Sequence, residues 1–281
     1  MRGWIWVVLL SWLVAGTLQA GKLDEVRRQV ESSRLVTGTI DITADGSVLG
    51  HALDDPDRLP QGVRALIAQT VPAWRFAPVQ LEPGTSRGRA RMSLRLVARK
   101  DADGNYRVGI VNAHFGNPAR PGERVESLRV TPPRYPPTAL AWGVGGTASV
   151  VLKVGRDGLV EDALVEQVNL RAIASEKDMA NFRDMLAGAA LRGARRWQFQ
   201  PPTRGNETDA PFWSVRVPVT FVAPGQQQPK DTEWHSYVPG PRQPIPWEPA
   251  QPADGPDALA SDSIHPLDRS GPRLLTPLGD S

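Results

Sequence analysis

The chain has 281 residues, 40% hydrophobic and 22% charged, the balance of a folded protein with room for two modest domains or one large one. A net charge of +3 argues neither for nor against an acidic partner. With no cysteine, disulfides, thiol catalysis, lipid attachment through Cys and Cys-based metal sites are excluded.

The first residues read as an export signal. Arg2 precedes apolar runs from Trp4 to Leu10 and from Trp12 to Val14, and Ala20 is a small residue at a plausible cleavage point. This predicts a signal peptide over residues 1–20. An uncleaved weak anchor is the alternative, since no charge lies between Arg2 and Lys22. The strongly apolar part is short for a membrane span of about 20 residues. Either way, the remainder is expected outside the cytoplasm.

Leu23, Val26 and Val30 have helical spacing and predict a helix over 23–33. A strand over 35–42, an Ala44-Asp45-Gly46-Ser47 turn and a returning strand over 47–53 follow. Pro60 suits the first turn of a helix whose apolar face is Val63, Leu66, Ile67 and Thr70, ending at Pro72. Next comes Trp74-x-Phe76-x-Pro78. Alternation puts Trp74 and Phe76 on one face of an extended strand, and Pro78 ends central pairing there.

After Gly84, the run RARMSLRLVAR alternates cleanly. Ala90, Met92, Leu94, Leu96 and Ala98 fall on one face, with Arg89, Arg91, Ser93, Arg95 and Arg99 on the other. The arginines are either a nucleic-acid patch or the solvated face of a half-buried sheet. The export signal points to the sheet and to no nucleic-acid partner. A turn at Asp101–Gly104 leads into a strand over 106–112, and the composition of Asn117–Glu123 marks a linker.

From Thr131 the order of events repeats. A short helix over 138–142 leads through Gly145-Gly146 to a strand over 147–154. Arg156-Asp157-Gly158 turns it back into a strand over 159–168. Ser175 with Asp178 resembles a capping box for a helix whose stripe is Met179, Phe182, Leu186 and Ala189. Arg192, Arg195 and Arg196 crowd its C-terminal end, where the helix dipole favours cations. Trp197-x-Phe199-x-Pro201 and Gly205 follow, then a last strand with Trp213, Val215, Val217, Val219 and Phe221 on one face.

Asp45-Gly46-Ser47-Val48 thus answers Asp157-Gly158-Leu159-Val160. Trp74, Phe76 and Pro78 answer Trp197, Phe199 and Pro201, Gly84 answers Gly205, and Val97-Ala98 answers Val222-Ala223. The shared order predicts an internal repeat, the first copy being shorter and more divergent. Beyond Pro224 the chain is rich in Pro with scattered charge, and residues 225–281 are expected to form a disordered tail. Trp234, Tyr237 and Trp247 are its candidate docking points.

Chemistry-bearing patterns are sparse. His51, His114, His235 and His265 have no partner at metal spacing. Gly143-Val144-Gly145-Gly146 precedes a strand, whereas a phosphate-cradling loop opens onto a helix. Asp54-Asp55-x-Asp57 lacks the Gly and terminal Glu of a Ca²⁺ loop. No catalytic, cofactor-binding or metal site is expected, and no enzyme.

Residues 131–224 resemble the C-terminal domain of the TonB family of energy transducers. The resemblance rests on Tyr135-Pro136, Gly146, Asp157-Gly158, Trp197-x-Phe199-x-Pro201, Gly205 and Val217-Pro218-Val219-x-Phe221. Residues 22–116 resemble a degenerate copy of the same module, with 117–130 as linker. The implied fold is α+β: two tandem TonB C-terminal-like modules, each a small three-stranded antiparallel sheet with helices on one face. The implied place is the periplasm. The implied partner is an extended segment of an outer-membrane TonB-dependent receptor, or another envelope protein, added as a strand.

The candidate edge is Trp213, Ser214, Val215, Arg216, Val217, Pro218 and Val219, with Ser214 and Arg216 pointing outward to tune specificity. Pro218 suits an edge strand for binding, or blunts it against aggregation. Typical transducers carry a firm membrane anchor that engages an inner-membrane motor, followed by a Pro-rich spacer. Here a folded copy stands in the spacer's place and the Pro-rich segment comes last, so the expectation is a binding module of TonB type, either a transducer or an unenergised accessory, with contact to an inner-membrane motor left open. A structural envelope protein that mediates assembly is the alternative: an accessible edge favours binding, a covered edge favours assembly.

Overall fold

Alternating apolar residues build long antiparallel strands, and helices cover one face of each sheet. The computed structural model describes residues 25–81, 84–101, 103–116, 120–248, 265–267 and 271–278. The predicted signal peptide lies outside the described residues. Among those described, no helix is long and apolar enough to cross a membrane.

The first sheet is built on β1 (Glu31–Ile42). A hairpin returns as β2 (Val48–Leu53) along one side of β1, and β3 (Gly88–Lys100) pairs along the other. Beyond β3 lies β4 (Tyr106–Phe115). Helix α1 (Gln61–Thr70) turns Val63 and Ile67 into the core. There Trp74 and Phe76 meet Phe115 edge-on, with ring centroids 5.6 and 4.8 Å apart. Ala90, Met92, Leu94, Leu96 and Ala98 are all buried, as the alternation requires.

The second sheet is built on β6 (Gly146–Gly155), between β7 (Val160–Leu170) and β9 (Phe212–Phe221). Short helix α2 (Pro137–Ala141) precedes it. Helix α3 (Glu176–Ala194) starts at Ser175, whose hydroxyl accepts the Asp178 amide N–H at 3.2 Å. Its stripe of Met179, Phe182, Leu186 and Ala189 is buried against the sheet. Both sheets are therefore antiparallel with few helices, an α+β architecture.

The two hairpins share local geometry. Ile42 pairs with Val48 and Val154 with Val160, each beside a bulge. Gly46 and Gly158 have φ of 86° and 78°, the left-handed region that favours glycine. The Phe76 amide donates to the Gly46 carbonyl at 2.9 Å, and the Phe199 amide donates to Gly158 at 2.9 Å. Trp74 and Trp197 are both buried.

Several elements differ from the sequence expectation. Among the described residues of the predicted 23–33 helix only 25–28 are helical, because Glu31–Ser33 pair with Val97–Arg99 of β3 and extend the strand. The predicted linker contains β5 (Glu126–Arg129), which pairs with β8 (Gln198–Gln200) in the Trp-x-Phe-x-Pro segment. Neither sheet stops at three strands: β4 extends the first, and the tail adds a strand to each.

The described part of the tail is ordered against both sheets. β10 (His235–Tyr237) pairs with the start of β1, and β11 (His265–Pro266) pairs with β9. Leu274 bridges Phe76, while the Ala77 amide donates to the Arg273 carbonyl at 2.9 Å. Composition predicted disorder because the tail has no core of its own. The described strands of the tail instead pair with edges that the folded sheets leave open.

Candidate functional site

The outer edge of β9 is set by strand parity. The Leu267 amide donates to the Ser214 carbonyl at 2.8 Å, so the Ser214 backbone faces away from β6. The β6–β9 register has no bulge, and the backbones of Arg216, Pro218 and Thr220 therefore face the same way. Pro218 thus lacks its N–H on the edge side, where no β6 bond is lost. Trp213, Val215, Val217 and Val219 turn into the core, and the Trp213 ring N–H donates to the Glu207 carbonyl at 2.9 Å.

The Ser214 and Arg216 side chains are not the free outward groups that alternation alone predicts. Arg216 reaches across β6 to Glu166 on β7 at 2.9 Å, with side chains 4% and 2% exposed. Tail residue Arg242 donates to the same carboxylate at 2.6 Å, and the Gln243 amide donates to the Glu166 carbonyl at 2.8 Å. The Trp247 ring N–H donates to the Ser214 hydroxyl at 3.1 Å, and Glu248 also bonds that hydroxyl. The tail thus covers this face of the sheet. Sequence reasoning missed this because Glu166, Arg242 and Glu248 carry no motif.

The first sheet carries the same crossing in the open. Arg91 lies opposite Thr39 as Arg216 lies opposite Val151, and Asp54 follows Leu53 as Glu166 follows Val165. Arg91 meets Asp54 at 2.6 Å with 41% and 37% exposure. That bond to Arg91, with one from Thr37, holds the Asp54 carboxyl below its ordinary range. Arg89 does the same for Asp41. Arg95 and Arg99 reach Asp231 and Glu31 at 3.2 and 2.6 Å. Arg89, Arg91 and Arg99 are thus ion-paired within the sheet, while Arg95 departs from the expected solvated face, being buried against Asp231 of the tail.

The remaining landmarks hold the hairpin and helix ends in place. The Tyr135 hydroxyl donates to the Val144 carbonyl at 2.6 Å, and its ring meets Phe221 edge-on at 5.4 Å. Pro136 precedes α2. Gly146 passes so close to β7 that a Cβ would lie 2.6 Å from the Asn169 carbonyl oxygen. Asp157 accepts the Leu159 amide at 3.0 Å. The Trp197 ring N–H donates to the Thr131 carbonyl at 2.8 Å, while Phe199 is buried and Pro201 ends β8. Gly205, like Gly84, has φ near 90°, at 87° and 85°. Pro78 follows the strand segment that Leu274 bridges. Among the described residues, no cluster of His, Asp or Glu is placed to hold a metal ion.

The chain matches no protein-family model. It is similar to Protein TonB of Xanthomonas campestris pv. campestris in two strains, 34% identical over 98 residues. Those residues are 35% of this chain and 38% of each relative, so the match spans well under half the length of the curated relatives. The similarity supports a TonB-like domain within this chain.

Proposed function

We propose that the chain is a periplasmic, non-enzymatic binding protein of TonB type, acting in or beside TonB-dependent transport. Its second sheet takes an extended segment of an outer-membrane receptor, or of another envelope protein, as an added antiparallel strand along β9. One observation carries this reading: the outward Ser214 carbonyl already accepts an N–H from an extended segment. Main-chain bonds of that kind supply affinity in β-augmentation, and alternate side chains supply selectivity. Similarity to Protein TonB supports the same reading. The proposal requires no contact with an inner-membrane motor.

We also infer that residues 22–116 and 131–224 are two copies of one module. Three likenesses support this: the strand order β2-β1-β3 against β7-β6-β9, the Gly–Phe bonds, and the Arg91–Asp54 and Arg216–Glu166 crossings. The assembly alternative draws on a specific observation too, namely that the tail already occupies part of the β9 edge.

Thr220→Pro tests the binding proposal, because it removes an outward N–H while leaving the β6 ladder intact. Synthetic ten-residue peptides from the N-terminal segments of the same cell's outer-membrane receptors serve as probes. A variant that stays folded by circular dichroism is expected to bind about tenfold more weakly, the loss of one ladder bond. Equal binding by the folded variant would contradict strand addition at this edge, and no binding by wild type would leave assembly in front.

A further inference from the structure

We propose that residues 265–267 are a built-in occupant of the β9 edge, a competing strand that a partner's segment must displace. This rests on the strand-addition reading and names how that site is regulated.

The geometry is that of a ligand held in cis. His265 pairs with Arg216, Pro266 with Val215, and the Leu267 amide donates to Ser214 at 2.8 Å. By parity, the His265 and Leu267 backbones face β9 and the Pro266 backbone faces outward. The missing N–H of Pro266 therefore costs no bond to β9 and gives the new outer edge one donor fewer for a further strand. The tail strand both fills the edge and blunts it.

The occupant is poised to leave. It covers Ser214–Arg216 only, whereas β9 runs from Phe212 to Phe221, so a longer incoming strand has more backbone to pair. The tail is anchored separately on the sheet face, through Arg242 on Glu166 and through Trp247 and Glu248 on Ser214. The Trp247 and Glu248 contacts and the 265–267 pairing are made by different parts of the sequence and on different parts of β9, its face and its edge, so one can be lost while the other stays. Because 265–267 belong to the same chain as β9, they compete as an intramolecular ligand rather than as a free peptide. Partner affinity is then reduced by the fraction of edges that the tail leaves open.

The test uses the full chain carrying Leu267→Pro, which deletes the N–H given to Ser214, with Leu267→Ala as the control that keeps it. Amide exchange at Arg216 reads occupancy of the edge without any partner, and titration with the receptor peptides reads competition. The expected result is faster Arg216 exchange and about tenfold tighter peptide binding in Leu267→Pro, with Leu267→Ala close to wild type. Unchanged Arg216 exchange would overturn the tail contact. Faster exchange with equal peptide binding would overturn the competition and leave strand addition standing. Faster exchange with no peptide bound by any variant would overturn strand addition, and displacement with it.

Discussion

Arg216 and Glu166 form an ion pair across the central strand of the second sheet, and Arg91 and Asp54 form its counterpart across the first. The chemistry is the same and the burial is opposite. Glu166→Gln would leave two guanidinium groups facing a neutral amide in a covered site, at a cost of about 3–5 kcal/mol. Asp54→Asn breaks a solvent-screened pair and should cost about 0–1 kcal/mol. Urea unfolding of both variants at neutral pH checks the contrast. Equal costs would mean that the tail does not bury the second pair in solution.

Gly158 and Gly46 should be intolerant of any side chain. A Cβ would lie 2.1 Å from the Phe199 carbonyl oxygen in one case and 2.0 Å from that of Phe76 in the other. Positive φ adds about 1–3 kcal/mol of backbone strain for an L-residue. Gly158→Ala and Gly46→Ala are therefore both expected to lower the melting temperature by several degrees. Gly50→Ala, with open space around its Cβ, is the comparison.

Trp197→Ala should cost about 3–5 kcal/mol, as for truncation of a buried aromatic, and it also strands the Thr131 carbonyl that its ring N–H serves. Thermal unfolding reads this directly. An unchanged melting temperature would place this ring at the surface, with a binding role in place of packing.

The tail contact at β10 should depend on pH. Burial pushes the His235 imidazole below its ordinary 6.5, Arg95 and Arg171 push the same way, and the Glu233 carbonyl and Asp231 oppose them. With the folded value below the unfolded one, the detached tail takes up the proton first. The stabilisation is then complete above about pH 6.5 and declines as pH falls from there through the folded value. Wild type should lose more melting temperature between pH 7.5 and 5.5 than His235→Gln. A parallel loss in both would assign the change to other groups.

Periodicity made the central architecture legible. The alternation from Ala90 to Ala98, the stripe from Met179 to Ala189 and the two Trp-x-Phe-x-Pro segments all mark residues that the structure buries. The strands at the margins were not legible, for a physical reason. Glu126–Arg129, His235–Tyr237 and His265–Pro266 are only two to four residues long, too short to show a period, and each is a strand because a neighbouring edge offers it bonds. The candidate edge followed the same rule: alternation placed Ser214 and Arg216 on the outward face, but only the tail's path could show them covered. Trp247 was named as a docking point and lies against Ser214.

Backbone amide exchange on the full chain, with and without a receptor peptide, tests strand addition most directly. The account predicts that the peptide slows the outward amide of Thr220 and leaves Val217 and Val219, bonded to β6, unchanged. It also predicts that Leu267 loses protection as 265–267 gives way. Protection confined to another surface, with Thr220 and Leu267 unaffected by bound peptide, would contradict it.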